Sequence, residues 1–141
     1  MYLVLVRHGE TEFNKLEKTQ GSEVDPPLNK MGIKQAIETG MFLKNIFKFH
    51  KIYSSPYERA INTSKLIKQE IEFKDKIEIE DKLKESSKGL FNGKTKDEVI
   101  EIINSNPELK KIEKDNKKYN HLEKLIHIYD YKKIAHITKQ E

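Results

Sequence analysis

The feature that most constrains the fold of this chain is a short apolar run that ends in a charged turn. Residues 2–6 read Tyr-Leu-Val-Leu-Val, and Arg7, His8 and Gly9 follow directly. An apolar run of this length, rich in β-forming residues, predicts a strand buried on both faces, as in a parallel sheet. Arg7 and His8 would then lie at the carboxyl end of the strand, the edge where ligands bind in open α/β sheets.

The residue types at this strand end suit phosphoryl chemistry. The ordinary pKa of histidine lies near neutrality, so a large fraction of His8 is neutral and nucleophilic at physiological pH. Arg7 offers planar, bidentate donors for phosphate oxygens. A lone histidine after a strand is more often structural than functional, so this interpretation needs a second element.

That second element follows the next predicted strand, over residues 51–54. Ser55 and Pro56 end this strand, and Pro56 opens a helix. Arg59 lies in the first turn of the helix, where free N–H groups and the helix dipole favour an anion. Two adjacent strand ends would bring Arg7, His8 and Arg59 together around one anion. The alternative, a surface Arg59 paired with a nearby glutamate, would contribute little energy.

The rest of the chain alternates strands with helices, which predicts a layered α/β fold. Turn residues interrupt the polar stretch before Asn29, which is positioned to cap a helix. The predicted elements are a loop over 10–29, helices over 30–47, 56–69, 95–103 and 108–128, and strands over 51–54, 77–83 and 132–138.

Composition limits the kinds of site and partner. The 141 residues include no cysteine, which excludes disulfides, thiolate catalysis and cysteine-ligated metals. The 27 basic and 23 acidic residues are interspersed, so the net charge of +4 fits a solvated surface or a small anionic substrate better than nucleic acid. No segment reaches the roughly 20 apolar residues of a membrane span, and the N-terminal run is too short for a signal peptide. We expect one cytoplasmic domain over residues 1–141, without nucleic-acid or membrane partners and of open oligomeric state.

The motifs together resemble the histidine phosphatase superfamily, in particular its phosphoglycerate-mutase-like branch. The matching stretches, in family order, are residues 5–14, 25–32, 54–60 with Thr63, 83–85 and 89–93. The resemblance covers about residues 1–103. It implies a phosphoglycerate-mutase-like fold, with a mostly parallel sheet flanked by helices. Residues 104–141 are interpreted as a divergent, charged tail in which the C-terminal part of the fold is diverged or incomplete.

The resemblance also implies a role for each site residue. His8 would be the nucleophile that forms a phosphohistidine, and Arg7 and Arg59 would bind the phosphate, with Asn14 as a further contact. Glu85 would be the general acid that protonates the leaving oxygen, because an alkoxide leaves poorly. Two arginines would stabilise the transferring phosphoryl oxygens, so no metal or other cofactor is expected.

One family feature, a second pocket histidine late in the chain, has no clear match. In the family it ends a strand and is usually followed by glycine. The nearest candidate is His136, which follows a strand-like Ile-Ala but has no glycine after it. His50, His121 and His127 lie in helical or junction context. His136 is therefore the candidate catalytic residue, against the alternative that it is a surface or edge-strand residue.

Three functions stay open at this point. The first is a phosphatase that acts on a small phosphorylated metabolite. The second is a phosphoglycerate mutase, which would return the phosphoryl group to another oxygen. The third is a non-catalytic phosphate-binding relative that has lost the second histidine. Arg7 and Arg59 are the chain's only arginines, whereas mutases carry extra basic residues after the acid segment, and this favours the phosphatase.

Overall fold

The computed structural model describes residues 2–107 and, through its backbone, the strand at 135–139. Helices and strands alternate through most of this part, as predicted, whereas the predicted helix over 108–128 lies outside it. The elements are β1 (Tyr2–Val6), α1 (Glu12–Lys15), α2 (Lys30–Lys44), β2 (Tyr53–Ser54), α3 (Glu58–Glu70), β3 (Glu78–Ile79), α4 (Lys96–Ser105) and β4 (Ala135–Lys139), with 3₁₀ turns at Asp81–Leu83 and Gly89–Phe91.

The four strands form two pairs of opposite kind. β2 and β3 run parallel, with Tyr53 opposite Glu78. β1 and β4 run antiparallel, with Tyr2 opposite Lys139 and Val6 opposite Ala135. The parallel pairing expected from the sequence therefore describes β2 with β3, while the last strand enters in the opposite direction.

β1 is more exposed than its sequence predicts. Tyr2, Leu3 and Leu5 are 56%, 47% and 53% exposed, and Val4 and Val6 are half-buried. The prediction of burial on both faces was wrong for these residues, because within 2–107 and 135–139 β1 pairs with β4 alone. A strand in a two-stranded sheet has neither the second neighbour nor the full cover that hides a central strand.

The helices α2 and α3 pack against each other and supply the apolar core of the described structure. Ala36 and Leu43 of α2 are each 1% exposed, and Ile67 of α3 is 7% exposed. Gly40 lets the helices approach closely, because a Cβ there would lie 2.6 Å from the Cβ of Glu70. The packed pair fixes the positions of the loops that lead into each helix. No helix in the described ranges is both long and apolar enough to cross a bilayer.

Candidate functional site

His8 lies just after β1, in a loop that is tied to α3. The Gly9 N–H donates to Thr63 Oγ1 at 3.0 Å, and the Thr63 hydroxyl donates to the Arg59 carbonyl oxygen at 2.8 Å. Thr63 is 4% exposed, so water does not compete for these bonds. One buried hydroxyl therefore fixes the loop of His8 against the first turns of the helix that carries Arg59.

The same loop rests directly on the start of α2. A Cβ at Gly9 would lie 2.3 Å from the carbonyl oxygen of Gly32, and a Cβ at Gly32 would lie 2.1 Å from the carbonyl oxygen of Glu10. Asn29, the N-cap of α2, donates from its backbone N–H to the Glu10 carbonyl at 2.9 Å and from Nδ2 to the Glu10 carboxylate at 2.8 Å. These contacts with the first turn of α2 therefore fix the position of the His8 loop against that helix.

His8 is a neutral imidazole with a defined tautomer. Nδ1 lies 2.8 Å from the Gly9 carbonyl oxygen, and because a carbonyl can only accept, Nδ1 carries the proton and Nε2 keeps its lone pair. Burial lowers the pKa of His8 from 6.5 to about 4, and the positive charges of Arg59 and Arg7 act in the same direction. The bond to Gly9 and the charge of Glu85 oppose the decrease. Nε2 is thus unprotonated at neutral pH, as a nucleophile must be.

The structure brings three other predicted site residues into electrostatic range of His8. Arg7, Arg59 and Glu85 each act on the charge state of His8. Arg59 is 2% exposed, Arg7 is half-buried and Glu85 is exposed. Two cations and one carboxylate around an unprotonated imidazole can bind a phosphate and supply a proton beside it. In the described part of the chain, no three His, Asp or Glu side chains are grouped to hold a metal ion.

The segment that carries Glu85 is attached to the loop before α2. Ser87 and Asn92 both donate side-chain hydrogen bonds to the Glu23 carboxylate. Glu85 itself forms an ion pair with Lys88, with Oε1 at 3.4 Å from Nζ. These contacts keep the segment beside the site while the Glu85 side chain stays accessible to solvent.

The guanidinium of Arg59 is held by that same loop. Nη1 donates to the Val24 carbonyl oxygen and to Asp25 Oδ1, each at 3.0 Å. The guanidinium carbon lies 4.4 Å from the centroid of the Tyr57 ring, a cation–π distance. The orientation of this cation is therefore fixed by three neighbours before any substrate arrives.

Asn14 forms the capping box of α1, an element that the sequence analysis treated as loop. The Thr11 N–H donates to Asn14 Oδ1 at 3.0 Å, and the Asn14 N–H donates to Thr11 Oγ1 at 3.2 Å. Both residues are buried, Asn14 at 5% exposure. The Thr-x-x-Asn spacing is the signal that could have predicted this turn. Because Oδ1 of Asn14 accepts the hydrogen bond from Thr11, a contact of Asn14 with phosphate would use its amide nitrogen.

His136 is the second residue of β4 and lies opposite Leu5 in the register. The sequence predicts a strand over 132–138 that contains His136, and in the structure the strand runs over Ala135–Lys139, so His136 lies near its beginning. Because β4 runs antiparallel to β1, its beginning lies beside the end of β1, close to Arg7. The backbone therefore keeps His136 at the edge that carries His8, and its catalytic role stays a prediction.

Two residues with clear contacts in the site, Asp25 and Thr63, received no role from the sequence analysis. Thr63 lies four residues after Arg59 and therefore on the same face of α3, which was a usable signal. Asp25 is separated from Arg59 by 34 positions, so no local pattern could predict their contact. Another polar residue that received no role is Gln20, which is buried at 4% exposure and accepts from the Thr11 hydroxyl at 3.1 Å.

Comparison with known proteins gives the same family as the motifs. A family model described as "Histidine phosphatase superfamily (branch 1)" matches residues 3–130, beyond the stretch in which the motifs were found. The fructose-2,6-bisphosphatase TIGAR of Xenopus laevis is 37% identical over 99 residues, 69% of this chain and 36% of that protein. The 2,3-bisphosphoglycerate-dependent phosphoglycerate mutase of Methanococcus vannielii is 38% identical over 124 residues, 87% of this chain and 49% of that protein.

A solved structure shows the same fold. The phosphoserine phosphatase of Entamoeba histolytica, crystallised with 3-phosphoglyceric acid, matches with a TM-score of 0.61 and 38% identity, over 70% of this chain and 47% of that one. The chain thus spans about a third to a half of the length of these relatives. The similarity confirms the predicted phosphoglycerate-mutase-like α/β fold. With this match over most of its length, the chain belongs to branch 1 of the histidine phosphatase superfamily.

Proposed function

We propose that this chain hydrolyses phosphomonoesters of small metabolites through a phosphohistidine at Nε2 of His8. The observation that carries the proposal is the neutral His8 imidazole, fixed by Gly9 and placed near Arg7 and Arg59. Phosphatases among the relatives support the choice of reaction.

In the first step, Nε2 of His8 attacks phosphorus and the bond from phosphorus to the leaving oxygen breaks. Arg7 and Arg59 stabilise the charge on the transferring oxygens. The carboxylic acid of Glu85 donates its proton to the leaving oxygen, so the product departs as a neutral alcohol. The bond from Nδ1–H to the Gly9 carbonyl stabilises the positive charge that develops on the ring.

In the second step, water attacks the phosphohistidine and the bond from nitrogen to phosphorus breaks. The Glu85 carboxylate accepts a proton from this water, which restores the acid for the next turnover. His8 returns to its neutral state and inorganic phosphate leaves. The two arginines act in both steps, because the same oxygens carry charge in each.

Three further assignments belong to this proposal. Asn14 would contact the phosphate through its amide nitrogen, and His136 would be the second pocket histidine. The chain would form a single domain over 1–141, with residues 1–103 as its recognisable core and the remainder as a divergent tail. A cytoplasmic location is part of the same expectation, since phosphorylated metabolites are substrates of that compartment.

A phosphoglycerate mutase is the second candidate, favoured by the identity of 38% to the Methanococcus vannielii enzyme over 87% of this chain. A mutase would share the first step and return the phosphoryl group to another oxygen of the substrate. The absence of arginines other than Arg7 and Arg59 from the chain favours hydrolysis.

The test is a phosphate-release assay without added metal, with p-nitrophenyl phosphate, phosphoserine and 3-phosphoglycerate. We expect release that His8→Ala abolishes and that Arg59→Ala lowers about 100-fold or more. Glu72→Gln, which removes an exposed carboxylate paired with Lys44, is the matched control and should be unchanged. Isomerised product without net release would replace the phosphatase by the mutase, and phosphate binding without turnover would indicate the non-catalytic relative.

Glu85 is tested by its dependence on the leaving group. Glu85→Gln should lower the rate more for 3-phosphoglycerate, whose alkoxide needs a proton, than for p-nitrophenyl phosphate, whose phenolate leaves readily. Asp81→Asn, which removes another exposed carboxylate nearby in the chain, serves as the control. Equal losses on both substrates would remove Glu85 from the role of general acid.

A further inference from the structure

The cation expected to bind phosphate already contacts a carboxylate from a distant loop. The Arg59 side chain is 3% exposed and lies 3.0 Å from Oδ1 of Asp25, whose side chain is 32% exposed. A carboxylate in this place has two possible effects. It could compete with the phosphate for Arg59, or it could hold Arg59 where the phosphate needs it, and the surrounding contacts distinguish the two.

Asp25 binds the backbone of α3 as well as the Arg59 side chain. Its Oδ2 accepts from the Glu58 N–H at 2.5 Å, and its Oδ1 lies 3.4 Å from the Arg59 N–H. These are the first N–H groups of α3, whose own N-cap residue, Tyr57, makes no side-chain cap bond. Asp25 therefore caps this helix from another part of the chain, where a negative charge also complements the helix dipole.

The loop of Asp25 fixes the guanidinium from further directions. Arg59 Nη1 donates to the Val24 carbonyl at 3.0 Å. Tyr57, whose ring lies 4.4 Å from the guanidinium carbon, donates from its hydroxyl to the Ser22 carbonyl at 3.2 Å. The cation–π partner of Arg59 is thus bound to the same loop as its ion-pair partner, and the loop and the helix start form one assembly.

The pattern of donors favours positioning over competition. A guanidinium has five N–H donors in a planar fork. The contacts with Val24 and Asp25 both use Nη1, so neither of them engages the fork of Nη2 and Nε that could face an anion. A carboxylate that competed for the phosphate would be expected to take that fork in a bidentate pair. Leaving the buried Arg59 without a charged partner would also be costly.

We propose that Asp25 is a positioning residue for phosphoryl transfer, which holds Arg59 in its phosphate-binding orientation without touching the substrate. The inference rests on the proposed role of Arg59 at His8. It assigns to Asp25 two functions that can be separated by mutation, because the cap needs an oxygen while the ion pair needs a charge.

Asp25→Asn separates them, since it removes the charge and one of the two acceptor oxygens but keeps one oxygen that can cap the Glu58 N–H. We expect the Kd for inorganic phosphate to rise and kcat/KM to fall, each about 10-fold or more, and the melting temperature to fall as well, because the buried Arg59 guanidinium loses its charged partner. If the variant melts much earlier, Asp25→Ser, which keeps a capping oxygen, provides the same test. Glu72→Gln again controls for the loss of an exposed carboxylate.

Two further readouts exclude a merely structural effect. The pKa of His8, followed by NMR, should rise in Asp25→Asn, because a displaced Arg59 no longer lowers it. Removal of a competing negative charge would instead leave that pKa unchanged or lower and would tighten phosphate binding, and this result would overturn the proposal. In an Arg59→Ala background, Asp25→Asn should change the Kd by less than about twofold.

The two proposals fail in different ways. If Arg59→Ala leaves phosphate binding and turnover intact, the proposed role of Arg59 is wrong, and the inference on Asp25 falls with it. If Arg59→Ala abolishes both while Asp25→Asn matches the wild type, the inference on Asp25 alone is wrong.

Discussion

The Gly9 N–H and the Thr63 hydroxyl, 54 positions apart in the chain, meet at 3.0 Å in the interior. Gly9 follows the candidate nucleophile, and Thr63 lies one turn beyond the candidate phosphate-binding arginine on α3. The relative position of the His8 imidazole and the Arg59 guanidinium therefore depends on a hydrogen bond in which neither side chain takes part. This contact can be removed without changing the charge of the site.

We expect Thr63→Val to lower both stability and activity. Valine has the shape of threonine without its hydroxyl, so the buried Gly9 N–H loses its acceptor, at a cost of about 1–3 kcal/mol. Urea unfolding should show this loss, and kcat/KM should fall because the loop of His8 is released from α3. Thr63→Ser keeps the hydroxyl and should retain most of both, so damage by Ser as large as that by Val would show that the hydroxyl bond is not the main contribution.

The pH dependence of activity follows from the pKa of His8 at about 4. In the proposed mechanism His8 must be neutral to attack phosphorus, so its protonation should lower kcat/KM near pH 4 and not near 6.5. The check is a profile of kcat/KM between pH 3.5 and 8 with p-nitrophenyl phosphate, over the range in which circular dichroism shows the fold intact. An acid limb centred near 6.5 would contradict the burial of His8.

The same shift makes stability depend on pH, with a defined sign. The pKa of His8 is about 4 in the folded protein, compared with 6.5 for a histidine without this environment. Between these two pH values the unfolded chain binds a proton that the folded chain does not. The free energy of unfolding should therefore rise with pH through this window and level off above it, by about 3 kcal/mol in total. Urea unfolding of the wild type and of His8→Gln across this window isolates the contribution, and parallel curves would refute it.

Gly32→Ala should destabilise the protein by more than its helical location suggests. Alanine normally favours a helix, but here its Cβ would lie 2.1 Å from the Glu10 carbonyl oxygen. The loop of His8 must move away, at a cost of about 1–3 kcal/mol, and the rate should fall with it. Lys34→Ala, at a position with a 67% exposed side chain on the same helix, should stay within about 0.5 kcal/mol of the wild type.

Asn14 can be tested for a contact with phosphate separately from its role in the cap. Asn14→Asp keeps the oxygen that accepts from Thr11 but replaces the amide nitrogen by a second oxygen. If that nitrogen contacts the substrate, the Kd for inorganic phosphate should rise about 10-fold or more, because an N–H donor is exchanged for a negative charge. Thr11→Ser, which keeps the cap, is the control, and an unchanged Kd in Asn14→Asp would remove Asn14 from the site.

Local patterns predicted the elements that local interactions determine. The apolar run at residues 2–6, the Asn29 cap and the Pro56 turn each specify a boundary through nearby atoms, and β1 (Tyr2–Val6), α2 (Lys30–Lys44) and α3 (Glu58–Glu70) lie where they were expected, to within a few residues. The helix α1 was missed because four residues are too short to show a hydrophobic period. Its capping box was the better signal.

The contacts that fix the site were beyond the reach of such patterns. Three of these contacts join segments that are distant in the chain. They are the contact of the Asp25 carboxylate with Arg59, the contacts of the Glu23 carboxylate with Ser87 and Asn92, and the antiparallel pairing of β4 with β1. Spacing along the sequence carries no information on these pairings. The exposure of β1 was mispredicted for a related reason, since burial of a strand depends on its neighbours and not on its own composition.

The backbone of Gly9, in the His8 loop, packs directly against the backbone of Gly32 in α2. This close packing affects how the loop can move. Side chains can rotate to absorb a displacement, whereas peptide units in van der Waals contact cannot. A ligand that pushes the His8 loop toward α2 must therefore also displace the first turn of that helix. The candidate nucleophile His8 is therefore held as firmly as the first turn of a helix, although it lies in a loop.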